Sequence, residues 1–293
     1  VAIQDQHTNI ILIEKNGEVV FEKEHDECAD CDPYDIFKLV SAREIFEFSC
    51  EVELDKIRFI GQAAELNRAL SNEGLRENYG LHIGRTLRKQ VGSGLMSDDL
   101  LSKIMIETTA ASDARMGGAT LPAMSNSGSG NQGIAATMPV VVVADYLNVS
   151  EEKRLRALFL SHLMAIYIHS KLPKLSALCA VTTASMGSCA GIAYLLTGKF
   201  ETVSMGICSM IGDISGIICD GASNSCAMKV STSVASGYKS VLMAMDETHV
   251  TGNEGIVEHD LDRTIDNLCS IASKSMHHID RQVIEIMVSK PCP

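Results

Sequence analysis

The sequence has no tryptophan, few aromatic residues (4%) and no run of basic side chains. Lys and Arg number 25 against 37 Asp and Glu, which gives a formal net charge of −12. Proteins that bind nucleic acid draw much of their affinity from phosphate contacts made by Lys and Arg. The charge therefore argues against a nucleic-acid partner and is typical of a soluble surface.

A signal-peptide pattern and a disulfide framework are also missing, although the chain has ten cysteines. With 293 residues, of which 46% are hydrophobic and 21% charged, the chain is too long and too apolar for a disordered or disulfide-stapled protein. In a reducing compartment, cysteines serve as buried packing, metal ligands or catalytic groups. We therefore expect a cytoplasmic protein.

Two stretches lack charged residues altogether, one between Arg115 and Asp145 and one between Lys174 and Lys199. Each is long enough to span a bilayer. Neither has an aromatic belt or basic flanks of clear asymmetry, and both are rich in small residues. We interpret them as buried helices of a soluble bundle rather than as membrane spans.

The predicted fold class is α+β, mainly α. Two apolar runs flank Asn16-Gly17, which predicts a β-hairpin, and helical spacing dominates the rest of the chain. We place a boundary near residue 95. A small α+β portion over 1–95 would precede an all-helical domain over 96–293, with a buried central helix over about 175–197.

Several signals indicate where single helices begin and end. Ser97 and Ser150 each precede acidic residues, which is the pattern of an N-cap followed by a first turn. The Gly-punctuated segment 79–94 is expected to be a connection. Helical spacing over 260–288 predicts one continuous helix.

A Gly-rich loop, GSGNQG at Gly128–Gly133, is the first candidate site. Glycines allow close backbone approach, and the helix that begins here offers unpaired N–H groups. The loop matches neither a P-loop nor a dinucleotide fingerprint. A tight buried turn and a loop that binds carboxylate or phosphate remain alternatives.

The tetrapeptide that begins at Ser125, Ser-Asn-Ser-Gly, resembles the Ser-Asn-Ser-Cys that begins at Ser223, and each precedes a predicted helix. Ser and Asn are good cap formers, so similar capping needs are one explanation. The other is that the two segments are polar ends that face a common site.

Cysteines form the second candidate site. Cys219 and Cys226 flank a Gly-containing turn between two predicted helices, and either Cys179 or Cys189 could supply a third thiolate. Three thiolates suit iron–sulfur or zinc. The alternative is plain packing, because free cysteine is among the most buried residue types.

Four blocks of sequence carry a family resemblance: GSGNQGIAATMPV, SMIGDISGIICDGASNSCAMKVSTS, VTGNEGIVEHD and DRQVIEIM. Together they resemble the bacterial UPF0597 family, which is related to L-cysteine desulfidase and similar to the alpha chain of iron–sulfur L-serine dehydratase. The resemblance runs from His7 to the C-terminus.

The resemblance implies an oxygen-sensitive 4Fe-4S cluster held by three cysteines, with one iron left open. Cys219 and Cys226 match the family's closely spaced ligand pair. Cys179 is our choice for the third ligand, with Cys189 in reserve. The residues that match the family's loop for the substrate carboxylate are Ser127, Ser129, Asn131 and Gln132.

The implied activity is that of a lyase. It would convert L-cysteine to sulfide, pyruvate and ammonia, or L-serine to pyruvate and ammonia, by β-elimination and deamination. A non-catalytic helical binding protein that retains the fold is the alternative. A small amino acid is the expected substrate, and a homo-oligomer is compatible with the resemblance.

The base that removes the α-proton is expected outside this sequence. Family members carry a Gly-Cys-Thr-Glu-Pro type motif whose cysteine resembles the base, and no such motif occurs here. We therefore expect the base upstream of Val1, in a segment that acts as a partner of this chain. Lys229 or Cys292 is the competing interpretation.

Overall fold

The computed structural model describes residues 1–3, 10–23, 35–173 and 176–291. By its contacts the chain divides into two compact units, Val1–Leu39 and Val40–Pro293. The first unit contains an antiparallel sheet of three strands in the order β1 (Ala2–Ile3), β2 (Ile10–Lys15) and β3 (Glu18–Glu22).

The hairpin between β2 and β3 is the one that the sequence predicts. Lys15 pairs with Glu18, so the loop has two residues. Both have positive φ, 56° for Asn16 and 83° for Gly17. These are the dihedral signs of a type I′ turn, whose twist matches that of the strands.

The second unit is helical. Its α-helices are α1 (Ala42–Glu51), α2 (Leu54–Ile57), α3 (Gly61–Arg76), α4 (Ile83–Gly92), α5 (Leu100–Met116), α6 (Gly130–Tyr146), α7 (Glu151–Ser170), α8 (Ala180–Thr197), α9 (Phe200–Ile214), α10 (Cys226–Met245), α11 (Leu261–Ser270) and α12 (His277–Ser289). The predicted α+β, mainly α, class is confirmed.

The segment 79–94 is not the plain connection that we expected, because α4 lies within it. Gly84 does not break this helix but allows it to pack closely on α5, since a Cβ on Gly84 would lie 2.7 Å from the Cβ of Ala110. The Asp113 carboxylate accepts the Gly84 N–H at 2.9 Å and so caps α4. The cap comes from another helix, which local sequence signals do not reveal.

Two other helix boundaries also differ from the prediction. The N-cap of α5 is Asp99, whose carboxylate accepts the Ser102 N–H at 2.8 Å, and not Ser97. The predicted helix over 260–288 is interrupted by a π-helical turn, Ile271–Ser275. Ser150 does cap α7, since its Oγ accepts the Lys153 N–H at 3.3 Å.

The early helices pack against the later ones. Helices α3 and α4 lie on α5, and α1 lies on α7. The division by contacts therefore falls between Leu39 and Val40, whereas the sequence suggested a boundary near residue 95.

Helix α8 is the buried central helix that the sequence predicts, and it packs against α6, α7, α9 and α10. Glycines bring α7 very close: a Cβ on Gly187 would overlap the Ser161 carbonyl, and one on Gly191 would lie 2.8 Å from the Ala157 carbonyl. Among the described helices, α8 alone is long and apolar enough to cross a membrane, and 78% of that span is buried inside the protein.

Helix α7 is antiparallel to both α6 and α8. The Ser161 hydroxyl donates to the Ala136 carbonyl of α6 at 2.6 Å. One turn earlier in α7, the Ala157 carbonyl packs against Gly191 of α8. A Cβ on Gly191 would also lie 2.7 Å from Val140, one turn further along α6. Residue numbers therefore rise along α6 as they fall along α7. Because α8 is antiparallel to α7 as well, α6 and α8 are parallel.

Helices α8 and α10 are also parallel. A Cβ on Gly206 of α9 would lie 2.7 Å from the Cys189 sulfur and 3.9 Å from Val241. One turn earlier in both helices, a Cβ on Gly237 would lie 3.5 Å from the Ser185 carbonyl. The N-termini of α6, α8 and α10 therefore lie at one end of the bundle.

A charge in the middle of α8 should prevent folding. Ala184 is 1% exposed, and an unpaired buried carboxylate costs about 3–5 kcal/mol. We expect Ala184→Asp to lose soluble expression, and Ala69→Asp, on an exposed position of α3, to retain it. Equal urea midpoints for the two variants would contradict the central placement of α8.

Candidate functional site

The end of the bundle where α6, α8 and α10 begin carries both candidate sites. The residues that immediately precede these helices are Ser129, Cys179 and Ser225, and none of them caps its helix through its side chain. By contrast, Ser41, Asp99, Ser150 and Asp260 cap α1, α5, α7 and α11. First-turn N–H groups and three positive helix ends thus meet without capping side chains.

The Gly-rich loop enters α6 through a tight turn. Asn126 and Ser129 exchange backbone hydrogen bonds of 3.1 and 3.0 Å. Between them, Ser127 has φ 48° and Gly128 has φ 82°. No atom lies within 4 Å of the position that a Gly128 Cβ would occupy, so the backbone is open to a small ligand here.

A buried hydrogen-bond network fixes this turn. The Thr137 hydroxyl donates to the Gly133 carbonyl at 2.7 Å, so it accepts from Asn67 Nδ2 at 3.0 Å and from His162 Nε2 at 2.9 Å. Nδ1 of His162 then accepts from Asn126 Nδ2 at 3.2 Å. Every partner fits the neutral imidazole with its proton on Nε2.

Burial lowers the pKa of His162 to about 4, in keeping with that neutral ring. The imidazole thus links α7 to Asn126, the first residue of the turn, through a hydrogen bond. Sequence reasoning missed this residue, and a histidine within the apolar run Leu158–Ile166 of α7 was the available signal.

The four loop residues matched to carboxylate binding differ in their surroundings. Ser127 and Ser129 are half-buried, and the Ser127 hydroxyl donates to Asn126 Oδ1 at 2.9 Å. Asn131 and Gln132 are both 4% exposed. Asn131 Oδ1 accepts from Ser112 Oγ at 3.1 Å, whereas Gln132 Oε1 has no hydrogen-bond partner.

A short antiparallel bridge brings Cys179 and Cys219 together. Cys179 N–H donates to the Ile217 carbonyl at 2.9 Å, and Cys219 N–H donates to the Ala177 carbonyl at 2.6 Å. The two cysteines are diagonal neighbours on one face of this bridge, and such residues typically lie about 7–8 Å apart.

Cys226 is the first residue of α10. Its sulfur lies 3.5 Å from the Ser223 nitrogen, whose N–H it accepts, and 3.7 Å from the Gly221 carbonyl. Burial raises the pKa of Cys179, and the Cys219 and Cys226 thiols raise it further. Cys219 and Cys226 are therefore both close enough to Cys179 to act on it electrostatically.

Lys229 lies beside the thiols and forms an ion pair with Asp220. Burial acts to lower the pKa of Lys229, but Asp220, Cys179 and Cys226 together raise it above the ordinary value. An ammonium held in this way stays protonated at neutral pH, which does not suit a base. Its charge instead favours the thiolate form of nearby cysteines.

Cys189 is not part of this group. Its sulfur packs against Gly206 of α9, and the residue is 0% exposed. Burial raises the pKa of this thiol strongly. Cys189 is a core residue, and the geometry favours Cys179 as the companion of Cys219 and Cys226.

The donor set fits an iron–sulfur cluster better than a single ion. Zinc holds its sulfurs at about 2.3 Å, so thiolates around one zinc lie roughly 4 Å apart. Within the part of the chain that the structure describes, no three His, Cys, Asp or Glu side chains could share one ion. Soft thiolates supplied by three separate segments suit a multi-iron cluster.

The thiols and the Gly-rich loop are linked through Gly80. A Cβ on Gly80 would lie 3.1 Å from Asn224 Oδ1, just before α10, and 3.4 Å from the Asp113 carbonyl at the end of α5. Two residues on, the Arg115 guanidinium lies over Gly130, the first residue of α6. Sequence reasoning did not identify Arg115 as a site residue, and its place directly before an uncharged stretch was the available signal.

A cavity of about 590 Å³ lies away from the thiols, at the start of α9 and α11. Its lining includes Arg43, Cys208, His249, Glu258 and His259. The VTGNEGIVEHD block is therefore in part the wall of this cavity. His7 and Cys292 lie outside the described residues.

Comparison with known proteins identifies relatives along nearly the whole chain. Residues 17–285 match the family described as serine dehydratase alpha chain. A UPF0597 protein of Actinobacillus pleuropneumoniae serotype 3 is 73% identical over 99% of this chain and 67% of its own length. UPF0597 proteins of Dichelobacter nodosus, at 64%, and Escherichia coli O1:K1 (YhaM), at 60%, have the same coverage. No solved structure matches significantly.

The neutral state of His162 is directly measurable. We expect its ring to show the Nε2-protonated form in ¹⁵N NMR and no titration above pH 5, because charging it would bring a second N–H against the Asn126 amide. His277, which is exposed on α12, serves as the reference signal in the same spectra. A His162 midpoint near 6.5 would refute the network.

Proposed function

Since the chain belongs to the serine dehydratase alpha chain family, we propose that it is the iron–sulfur part of a lyase that acts on a small amino acid. The reaction is β-elimination followed by deamination. L-Cysteine would give sulfide, pyruvate and ammonia, and L-serine would give pyruvate and ammonia. The observation that carries this proposal is the group of three thiols at the shared N-terminal end of α6, α8 and α10.

Cys179, Cys219 and Cys226 are the residues that would hold a 4Fe-4S cluster. Two of them lie at helix N-termini, where the helix dipole favours the thiolate. The protonated Lys229 adds a positive charge next to them. When bound through three thiolates, such a cluster supplies a Lewis acid for the leaving group or the carboxylate of the substrate.

Plain packing explains these thiols less well. Cys219 and Cys226 are partly exposed, whereas Cys189, Cys208 and Cys269 are buried. Cys179 is also buried, but it lies at the N-terminus of α8 beside the two exposed thiols. Buried cysteines act as small hydrophobic residues. Thiols that lie partly open beside a lysine and two helix ends are instead typical of a ligand set.

The loop before α6 would hold the substrate carboxylate. The first-turn N–H groups at Gly130–Gln132 have no partner within the helix, as at any helix start. The hydroxyls of Ser127 and Ser129 lie beside them. The backbone donors, fixed by the His162 network, can bind a carboxylate without reorganisation, whereas the Ser127 hydroxyl would first have to release Asn126 Oδ1. Asn131 and Gln132 would contribute through their backbone, because their side chains are buried.

Elimination removes the α-proton and the β-substituent and leaves aminoacrylate. Its imine tautomer takes up water and releases ammonia and pyruvate, so the reaction consumes no oxidant or reductant. The raised pKa of Lys229 opposes its use as the base.

A reducing, cytoplasmic location suits free thiols and an oxygen-sensitive cluster.

Anaerobic reconstitution tests the ligand set. We expect the wild-type chain to take up about four iron and four sulfide and to show the broad visible absorbance of such clusters. Cys179→Ser, Cys219→Ser and Cys226→Ser should each lose at least half of the iron, whereas the core variant Cys189→Ala should keep it. Undiminished iron in the Cys219 and Cys226 variants would refute the assignment.

Pyruvate release tests the reaction itself. Residues 1–293 and the full gene product would each be reconstituted and supplied with L-cysteine or L-serine. We expect the full gene product to release pyruvate from L-cysteine or L-serine, and we expect the Cys226→Ser variant to release none. An intact cluster without turnover of either amino acid would favour the non-catalytic binding protein.

A further inference from the structure

We propose that Arg115 binds the α-carboxylate of the amino acid and thereby selects amino acids over amines. This inference rests on the proposed function and adds to it a specificity-determining residue. Arg115 is in the last turn of α5, at the same end of the bundle as the thiols.

Gly130 gives Arg115 its position. A Cβ on Gly130 would overlap Nε of Arg115 and would lie 2.8 Å from its Cδ and 3.1 Å from its Cζ. The guanidinium therefore lies directly over the first residue of α6. Any other residue at 130 would displace it.

The charge of Arg115 lacks an anionic partner among the residues that the structure describes. Its hydrogen bond runs from Nη1 to Met116 Sδ at 3.0 Å, and a thioether is a weak acceptor. Six other arginines of the bundle pair with carboxylates: Arg43, Arg58, Arg68, Arg76, Arg154 and Arg156. Arg85 and Arg88 donate to the neutral oxygens of Asn78 and Leu75, which are stronger acceptors than a thioether. A guanidinium beside the positive end of α6 is a place where an anion would be strongly favoured.

There is room for a small carboxylate at this place. The Cβ positions of Gly118 and Gly128 are both open, with no atom within 4 Å. A planar guanidinium can donate two parallel hydrogen bonds to one carboxylate, and it discriminates against groups that cannot accept both.

The position also connects to the thiols. Gly80 lies between the Asp113 carbonyl, two residues before Arg115, and Asn224, two residues before Cys226. A single small amino acid therefore has its carboxylate partner and the thiol group at one end of the same bundle. A different role for Arg115 would be to neutralise the C-terminal end of α5, and the experiments below separate the two.

Chemical modification locates carboxylate binding directly. Butanedione modifies accessible guanidinium groups, and peptide mass spectrometry reports each arginine. We expect L-serine and pyruvate to protect Arg115 and ethanolamine, which lacks the carboxylate, to leave it reactive. Arg281, exposed on α12, should react equally in every sample. Equal modification of Arg115 with and without carboxylates would overturn the inference.

Substitution then tests the effect on the substrate. In the reconstituted full gene product, Arg115→Gln should raise KM for the amino acid by about 10- to 100-fold, with a smaller effect on kcat. Arg115→Lys should recover part of the loss, and Arg281→Gln should change nothing. An unchanged KM in Arg115→Gln would contradict carboxylate binding.

Iron content separates this inference from the proposed function. Arg115→Gln should load as much iron as the wild-type chain, because Arg115 is not a cluster ligand. If the wild-type chain binds a cluster but no carboxylate protects Arg115, this inference fails alone. If carboxylates protect Arg115 but no cluster forms, the iron–sulfur proposal fails and the carboxylate site stands.

Discussion

The close approach of α7 to α8 is the constraint on which the site depends. Gly187 and Gly191 allow the α7 backbone to lie where a side chain would otherwise be. Because α7 is antiparallel to both α6 and α8, these two helices are parallel to each other. Helix α9 packs against both α8 and α10, which are likewise parallel. Three helices thus begin at one end of the bundle, and their dipoles add there instead of cancelling.

This alignment explains the chemistry of that end. Ser129, Cys179 and Ser225 leave the helix ends without side-chain caps, so the three dipoles and the first-turn N–H groups of α6 can act on a ligand. Thiolates and a carboxylate are the negative groups that would complete such a site. Lys229 strengthens the same field beside the thiols. None of the three thiols and neither Lys229 nor the Gly-rich loop lines the cavity around His249 and His259.

Much of this arrangement could be predicted from local sequence. The hairpin at Asn16-Gly17 and the central helix follow from turn chemistry and from an uncharged stretch of small residues. Other features depend on partners far away in sequence. Asp113 caps α4 from another helix, and Gly130 is needed because Arg115 crosses it. Likewise, Cys189 and Cys179 lie in the same apolar segment, and only the packing of α9 separates the core thiol from the one at the helix end.

The proposed function depends on whether Cys179, Cys219 and Cys226 enclose an iron–sulfur cluster at the common end of α6, α8 and α10. The most direct measurement is anomalous diffraction at the iron edge from crystals of the anaerobically reconstituted protein. The account predicts a compact iron peak between these three sulfurs, with Lys229 beside it. Iron found at the cavity near His249, or no peak among the three thiols in a fully loaded sample, would contradict it.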